Sequence, residues 1–319
     1  MRCPNTGEKL FLSEEVLDGD LIFSGILQTK NNSHKYYIKD YIPRFVDNYN
    51  YAENFGKQWN KFRFTQLDSH SKTNISASRF WKATGLDKNN ISNKLFLDVG
   101  TGAGRFAEVV LNKGGTVVAL DFSSSVDAAF SNLRHFKNFH IVQADIYAIP
   151  FKYNTFDVIY SLGVLQHTPN VELAFKSLPK FLKTSGFLCT DFYWKRLSSL
   201  FHAKYLVRPI TKRINQDKLF SFLENNISLL LYISTFLKKI PFLGNYLMRL
   251  IPVANYTDVY PLSRQQLKEW ALLDTFDMLA PKYDSPQDPM TIKKWMKEEG
   301  FINIELLHAN LLVIRGKKK

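Results

Sequence analysis

The stretch LFLDVGTGAGRF, residues 95–106, decides the fold class of this 319-residue chain. An apolar run ends in Asp98, and glycines follow at every second position as Gly100, Gly102 and Gly104. This pattern is typical of a strand that leads through a glycine loop into a helix, the usual entry to a nucleotide site. Enzymes that use nicotinamide dinucleotides and enzymes that use S-adenosylmethionine both have such an entry.

Strand-like and helix-like segments alternate after this stretch. The alternation predicts a parallel sheet with helices on both faces. Two late segments lie close enough together to form an antiparallel hairpin that closes the sheet. The predicted strands are residues 94–99, 116–121, 139–145, 156–162, 186–194, 302–309 and 311–316, and the early helices are 105–114 and 125–136.

The glycine spacing argues against a dinucleotide. A dinucleotide loop follows the pattern G-x-G-x-x-G, and here Arg105 occupies the position of the third glycine. A pyrophosphate requires positive charge from a helix N-terminus, whereas S-adenosylmethionine carries a sulfonium and an ammonium group. An acid at the strand end, Asp98, therefore suits the second cofactor better.

Four segments in order, LDVGTGAGRF, VVALDFS, QADIYAIPF and FDVIYSLGVLQHTPN, resemble the motifs of class I S-adenosylmethionine-dependent methyltransferases of the type 11 kind. The resemblance implies a Rossmann-like α/β fold. Its sheet would be mostly parallel and seven-stranded with an antiparallel C-terminal hairpin, joined by a small N-terminal β module and a helical cap insertion. It also implies S-adenosyl-L-methionine as the cofactor. A structural α/β domain that binds no cofactor is the alternative.

The same resemblance implies which residues hold the cofactor. Asp121 ends the second strand and would accept hydrogen bonds from the ribose hydroxyls. Asp145 and Ile146 would hold the adenine, and Asp98 would face the cationic end. The remaining implied contacts are Gly100, Thr101, Gly102, Gly104, Phe122 and Leu162.

His167 follows the fourth strand of the motif series, close to where the transferred methyl group is expected, and is our candidate general base. The alternative is that it only caps the next helix or orients the cofactor. The fourth strand reads S-L-G-V rather than the N-P-P-Y or D-P-P-Y of enzymes that methylate base amines. Cys189 lies in mid-strand, where it reads as a buried apolar residue rather than a nucleophile.

Charge and composition limit which binding partners and which location are expected for the chain. The net charge is +13, and ten basic residues against two acids lie between Lys195 and Arg249. This region contains an amphipathic helix, which we interpret as a cap on the core or as a contact with an anionic membrane surface. The longest apolar run, residues 227–237, is too short for a transmembrane segment. Two cysteines and no signal peptide predict a cytoplasmic protein.

The N-terminus resembles a degenerate zinc ribbon. CPNTG begins like a first zinc knuckle, but the four ligand positions hold Cys3, Thr6, Thr29 and Asn32. Even with His34 only two good ligands result, so we predict no metal site. The C-terminal segment resembles the cap of ribbon-bearing bacterial methyltransferases. There Asp274, Asp277, Tyr283 and Asp284 are candidates to face the acceptor.

The chain is therefore predicted to be a methyltransferase acting on oxygen of a small-molecule, sugar, glycan or lipid-linked acceptor. An RNA methyltransferase and a non-catalytic cofactor-binding scaffold remain the alternatives. The predicted divisions are a β module at 1–50, helices at 51–92, a cofactor-binding core at 93–194, a helical cap at 195–298, and strands with a basic tail at 299–319.

Overall fold

Eleven strands form one sheet within the part of the chain that the computed structural model describes, residues 1–47, 50–196, 203–308 and 311–319. The strands are β1 Phe11–Asp18, β2 Leu21–Gln28, β3 Lys35–Lys39, β4 Ile42–Arg44, β5 Leu95–Val99, β6 Thr116–Asp121, β7 Phe139–Gln143, β8 Phe156–Ser161, β9 Leu182–Phe192, β10 Phe301–His308 and β11 Leu312–Lys318. The helices are α1 Glu53–Lys61, α2 Asp68–Ser71, α3 Ile75–Thr84, α4 Arg105–Leu111, α5 Ser125–Leu133, α6 Val171–Lys176, α7 Ala203–Thr211, α8 Gln216–Lys238, α9 Gly244–Leu247, α10 Arg264–Leu279 and α11 Pro289–Glu298.

The central sheet has the order β7-β6-β5-β8-β9-β11-β10. Neighbours from β7 to β9 pair in parallel, while β11 runs antiparallel to both β9 and β10. The predicted fold class, a mostly parallel seven-stranded sheet with antiparallel C-terminal strands, is confirmed. Ala309, the last residue of the strand predicted at 302–309, lies outside the described residues.

Both faces of the central sheet are buried, which explains why its strands read as nearly continuous apolar runs. Phe96 and Val158 pack into the cluster formed with α3, α4 and α5. Their neighbours Leu97 and Ile159 belong to the opposite cluster, formed with α6 and α11. Because adjacent side chains of a strand point to opposite faces, one strand supplies both clusters.

The N-terminal module continues the sheet instead of standing apart from it. Strands β1 to β4 pair antiparallel in sequence, and β4 joins β7 in parallel at Arg44 and Gln143. The Arg44 guanidinium also donates to Gln143 Oε1 over 2.9 Å and pairs with Asp127 over 2.6 Å. The module thereby covers an edge of β7 that would otherwise expose unpaired backbone groups. Asn48 and Tyr49, near the end of the module predicted at 1–50, lie outside the described residues.

The cap is a cluster of helices with its own core. Leu219, Leu223 and Ile227 of α8 pack against α10 through Leu272 and Phe276. The predicted amphipathic helix is thus present, and its buried face covers α10. None of the helices that the structure describes is long and apolar enough to cross a membrane. The predicted cap, 195–298, includes residues 197–202, which lie outside the described residues.

Candidate active site

A cavity of about 1280 Å³ opens at the carboxyl edge of the central sheet. Its floor consists of residues at the ends of β5, β6 and β8, including Gly100, Asp121 and Leu162. Helices α1 and α3 form one wall, and α10 with the segment before it forms another. In an open α/β sheet this edge is where ligands bind, because the loops that leave parallel strands converge there.

Asp121 joins two of these loops. Its Oδ2 accepts the backbone N–H of Gly102 over 3.0 Å, and its Oδ1 accepts the N–H and the hydroxyl of Ser123 over 2.9 and 2.8 Å. A carboxylate offers about four acceptor positions, so three bonds leave capacity for a ligand. Asp121 can therefore fix the glycine loop and accept a hydrogen bond from a diol in the cavity.

An aromatic face of α1 covers the glycine loop. Phe55 and Trp59 lie four residues apart on α1, Tyr51 lies two residues before the first residue of α1, and all three line the cavity. A Cβ added to Gly102 would lie 3.0 Å from the Trp59 ring. The backbone and the indole thus form a narrow cradle that only glycine leaves open at this position.

The structure brings most of the predicted cofactor residues together. The cavity is lined by Gly100, Thr101, Gly102, Asp121, Phe122, Ile146 and Leu162, together with the predicted base His167. Asp98, Gly104 and Asp145 do not line it. Their roles as direct contacts with the cofactor remain predictions.

Asp98 supports the loop from within the protein. Its side chain is buried, and its Oδ2 accepts the hydroxyl of Thr101 over 2.7 Å. Burial raises the pKa of this carboxyl to about 7. Asp145 is half-buried and accepts the backbone N–H of Tyr147, and burial raises its pKa as well. Both acids hold a turn at the cavity edge.

His167 is held in one orientation. It ends a short 3₁₀ turn, is 7% exposed, and has its Nδ1 at 3.1 Å from the carbonyl oxygen of Tyr283. A carbonyl only accepts, so Nδ1 carries a proton, and in the neutral imidazole the lone pair is then on Nε2. Nε2 is buried and has no hydrogen-bond partner in the described part of the chain. The rings of Phe55 and Tyr193 lie at 5.6 and 5.5 Å from the imidazole.

Two carboxyl groups from α10 face the same cavity. Asp274 and Asp277 both line it, being three residues apart on one helix face. Tyr256 donates its hydroxyl to Asp274 Oδ2 over 2.5 Å, and burial raises the pKa of Asp274 to about 6. Burial also raises the pKa of Asp277. These acids are suited to accept hydrogen bonds from a polar ligand.

The other two candidates from the cap are placed differently. Asp284 is buried and pairs with Lys204 over 3.1 Å and with Arg208 over 3.5 Å, and it does not line the cavity. Tyr283 acts through its backbone carbonyl on His167, while its ring packs edge-on against Tyr51. Both residues fix the segment that orients the imidazole.

Two arginines at the cavity were not predicted as site residues. Arg79 pairs with Asp191 over 2.9 Å. Arg105 donates to Gln66 Oε1 over 2.5 Å and to Ser76 Oγ over 3.2 Å, with no carboxylate in ion-pair range among the described residues. Burial and the charge of Arg79 lower the pKa of Arg105 to about 10. The only sequence signal for these two arginines was Arg105 itself, which occupies the position of the third glycine in a dinucleotide loop.

The zinc-ribbon positions show no ligand cluster. Cys3 is buried with its Sγ 3.4 Å from the Tyr36 hydroxyl, and Thr29 bonds to Asn31 and Ser33. Within the described ranges, no group of three or more His, Cys, Asp and Glu side chains is arranged to hold a metal ion. The ribbon resemblance remains a prediction.

Comparison with known proteins places residues 97–190 in a family described as a methyltransferase domain. A ubiquinone biosynthesis O-methyltransferase of Bartonella quintana is 26% identical over 181 residues, 51% of this chain and 70% of that protein. A sterol 4-C-methyltransferase of Caenorhabditis elegans is 30% identical over 94 residues, 28% of each chain. A solved structure from Methanococcus maripaludis, titled a putative S-adenosyl-L-methionine-dependent methyltransferase, aligns over 86% of this chain and 96% of that one, with 16% identity and a TM-score of 0.46.

Proposed function

Because the chain carries a class I S-adenosylmethionine-dependent methyltransferase domain, we propose that it methylates an oxygen atom of a small-molecule, sugar, glycan or lipid-linked acceptor. The observation that carries this proposal is that a cofactor-binding end and a candidate base line the same cavity. Asp121 and the glycine loop form the cofactor end, and His167 keeps an unbonded Nε2 beside it.

The cofactor end fits S-adenosylmethionine. Asp121 has about one acceptor position left for a ribose hydroxyl, and the cradle between Gly102 and Trp59 admits no side chain. Phe122, Ile146 and Leu162 supply apolar surface for an adenine. When bound, S-adenosylmethionine supplies an electrophilic methyl group and its own leaving group.

His167 supplies what an oxygen acceptor requires. A hydroxyl becomes a good nucleophile only as it loses its proton, and a positioned imidazole can take that proton at Nε2. The Tyr283 carbonyl keeps the proton of Nδ1 in place and holds the ring plane. The aromatic rings of Phe55 and Tyr193 pack beside the imidazole and help to hold its position. His167 Nε2 would take the proton that the acceptor hydroxyl loses as its oxygen bonds to the methyl carbon, while the bond from that carbon to the cofactor's sulfur breaks and S-adenosylhomocysteine leaves.

The far wall supports a hydroxylated acceptor. Asp274 and Asp277 can accept hydrogen bonds from neighbouring hydroxyls, and Tyr193, Tyr256 and Tyr260 also line the cavity there. Aromatic faces with paired carboxylates suit a sugar-like ring, which presents C–H groups on its face and hydroxyls at its edge. The printed name of the Bartonella relative, an O-methyltransferase, adds support for oxygen as the methylated atom.

A lipid-linked acceptor would be presented at a membrane surface. The basic cap supports this part of the proposal, since anionic lipid attracts clustered Lys and Arg side chains. In the described stretch 203–250, eight basic residues stand against Asp217 and Glu224.

The test is transfer of a labelled methyl group from S-adenosylmethionine into fractionated extracts of the source organism. We expect label in a small-molecule, glycan or lipid fraction, and a methyl ether in the isolated product. Label in RNA would establish the RNA alternative, and a new C–methyl bond would contradict the oxygen assignment. Cofactor binding by calorimetry without transfer into any fraction would establish the scaffold alternative.

A further inference from the structure

Helix α8 carries an apolar stripe that is largely exposed and belongs to none of the core clusters of the described structure. Phe222, Leu229, Tyr232 and Phe236 are 59, 56, 71 and 60% exposed. At 100° per residue they fall within one third of the helix circumference, well away from the face that covers α10. The stripe is a second apolar face on a helix that needs only one for packing.

The charges of α8 are sorted around this stripe. Its two acids, Asp217 and Glu224, lie on the flank toward α1, where Lys57 and Lys61 pair with them over 4.0 and 2.9 Å. Lys218 and Lys239 are exposed at the two ends of the stripe, and Asn225 is an exposed polar side chain within it. The face presented to solvent is therefore mostly apolar in its middle and positive at its ends.

The turn after α8 also exposes apolar side chains beside a positive charge. Phe242 is 98% exposed, and Leu243, Tyr246 and Leu250 are 58, 68 and 56% exposed. Phe242 has a φ of +60°, a conformation that glycine or asparagine adopts at lower cost than an aromatic residue. An exposed phenylalanine in a strained turn gains nothing from packing within the chain. Exposed Arg249 adds positive charge beside it.

We propose that this interfacial face, the α8 stripe with residues 242–250, docks on an anionic lipid surface. Aromatic and aliphatic side chains with lysine and arginine at their rim match the boundary between acyl chains and negatively charged headgroups. The charge pattern decides against a second copy of the chain as the occupant. Two such faces would bring like charges together, since both acids of α8 lie on the flank toward α1.

The interfacial face is tied to the cavity wall. Lys238 Nζ donates to the Thr257 carbonyl over 3.2 Å, and Asn255 donates to the hydroxyls of Ser234 and Thr235 over 3.2 and 3.0 Å. Tyr256, within this segment, lines the cavity. Docking would therefore hold this wall of the cavity near the lipid, and a lipid-linked acceptor would enter from there. That last step rests on the proposed function, whereas docking itself does not.

The test is binding of the full chain to vesicles of phosphatidylcholine, with and without about a third phosphatidylglycerol. The wild type is expected to bind the anionic vesicles more tightly. Phe222→Ser with Phe236→Ser, and separately Phe242→Asn with Leu243→Ser, are expected to weaken that binding about tenfold or more. Lys239→Ser with Arg249→Ser is expected to remove the preference for anionic lipid. Tyr153→Ser with Met290→Ser, which changes two exposed side chains elsewhere, is the matched control.

Phe242→Asn alone separates docking from folding. Asparagine relieves the strained turn, so the variant is expected to unfold at a higher temperature while its vesicle binding falls. Unchanged vesicle binding in both apolar variants would overturn the proposal. So would a concentration-dependent dimer of the wild type that these variants abolish. Binding of S-adenosylhomocysteine and labelled-methyl transfer are measured on the same samples. Vesicle binding without any methyl transfer would refute the proposed function and leave docking intact.

Discussion

The Nδ1 atom of His167 and the carbonyl oxygen of Tyr283 lie 3.1 Å apart, although 116 residues separate them in sequence. This contact joins the carboxyl edge of the sheet to the segment that follows α10. It fixes which ring nitrogen holds the proton, and it leaves Nε2 as the acceptor. The cap therefore does more than cover the cavity, because it also determines the state of the candidate base.

Replacing His167 with Gln removes this base and keeps a polar side chain of similar length. Methyl transfer to a hydroxyl acceptor is expected to slow by about 10²–10⁴-fold, with the affinity for S-adenosylhomocysteine unchanged. Initial rates of labelled-methyl transfer and calorimetry measure the two quantities. His140→Gln, at an exposed position of β7, is the control. A rate within about threefold of wild type would contradict the assignment of His167 as the base.

Replacing Asp121 with Ala tests the cofactor end. A charge-assisted hydrogen bond to a ribose hydroxyl, worth about 1.5–3 kcal/mol, corresponds to a loss of about ten- to a hundredfold in affinity. Calorimetry with S-adenosylhomocysteine measures it. Ser123→Ala removes one loop contact but keeps the carboxylate, so its loss is expected to be far smaller. Equal losses in the two variants would show that Asp121 acts only by holding the loops.

The cofactor end could be predicted because its signals are local. The strand, the glycines and Asp121 lie within 27 residues, and their spacing already specifies a strand, a tight loop and a helix. The contact between Trp59 and Gly102 could not be predicted, because it joins segments that are separate in sequence.

Other features depend on distant pairing or on burial. The N-terminal strands reach the central sheet through one parallel pair at Arg44 and Gln143, which no local pattern specifies. Asp98 was predicted to face a cationic ligand, yet its carboxyl bonds to Thr101 within the protein. The lack of a carboxylate partner for Arg105 depends on which side chains the fold brings near it. Counting charges along the sequence predicted the basic cap, but it could not predict that α8 exposes an apolar stripe.

Burial of Asp98 predicts how stability depends on pH. Its pKa is raised from 3.8 to about 7 in the folded chain, so the folded state binds a proton that the unfolded state has released between these values. The free energy of unfolding that this group contributes therefore falls by roughly 4 kcal/mol as pH rises from about 4 to 7, and it is constant above pH 7.

The Asp98→Asn variant cannot ionise at this position. It is expected to show a smaller fall in stability over this pH range and to be more stable than the wild type at pH 8. Urea unfolding at pH 5 and pH 8 measures both effects. Asp20→Asn, at an exposed position, is expected to change neither. A slope unchanged by Asp98→Asn would contradict the assignment.

Gly100 and Gly7 separate backbone strain from crowding in the cofactor loop. Their φ angles are +80° and +73°, so alanine is disfavoured by about 1–2 kcal/mol at both positions. Nothing lies within 4 Å of a Cβ at Gly7, whereas a Cβ at Gly100 would collide with both methyl groups of Val164. Overpacking of this kind costs about a further 1–3 kcal/mol, so Gly100→Ala is expected to be clearly the less stable variant in urea unfolding.

The double variant Gly100→Ala with Val164→Ala completes this comparison. Removing the two valine methyl groups removes the closest contacts of the new Cβ and leaves the Val164 Cβ at 3.0 Å. The double variant is therefore expected to recover most of the free energy of unfolding that crowding costs and to approach the stability loss of Gly7→Ala. The strain at φ +80° remains in both variants, since it belongs to the backbone. If the double variant were as unstable as Gly100→Ala alone, crowding against Val164 would not be the reason that this position requires glycine. The loop would then depend on its φ angle only, and Val164 would be free to vary.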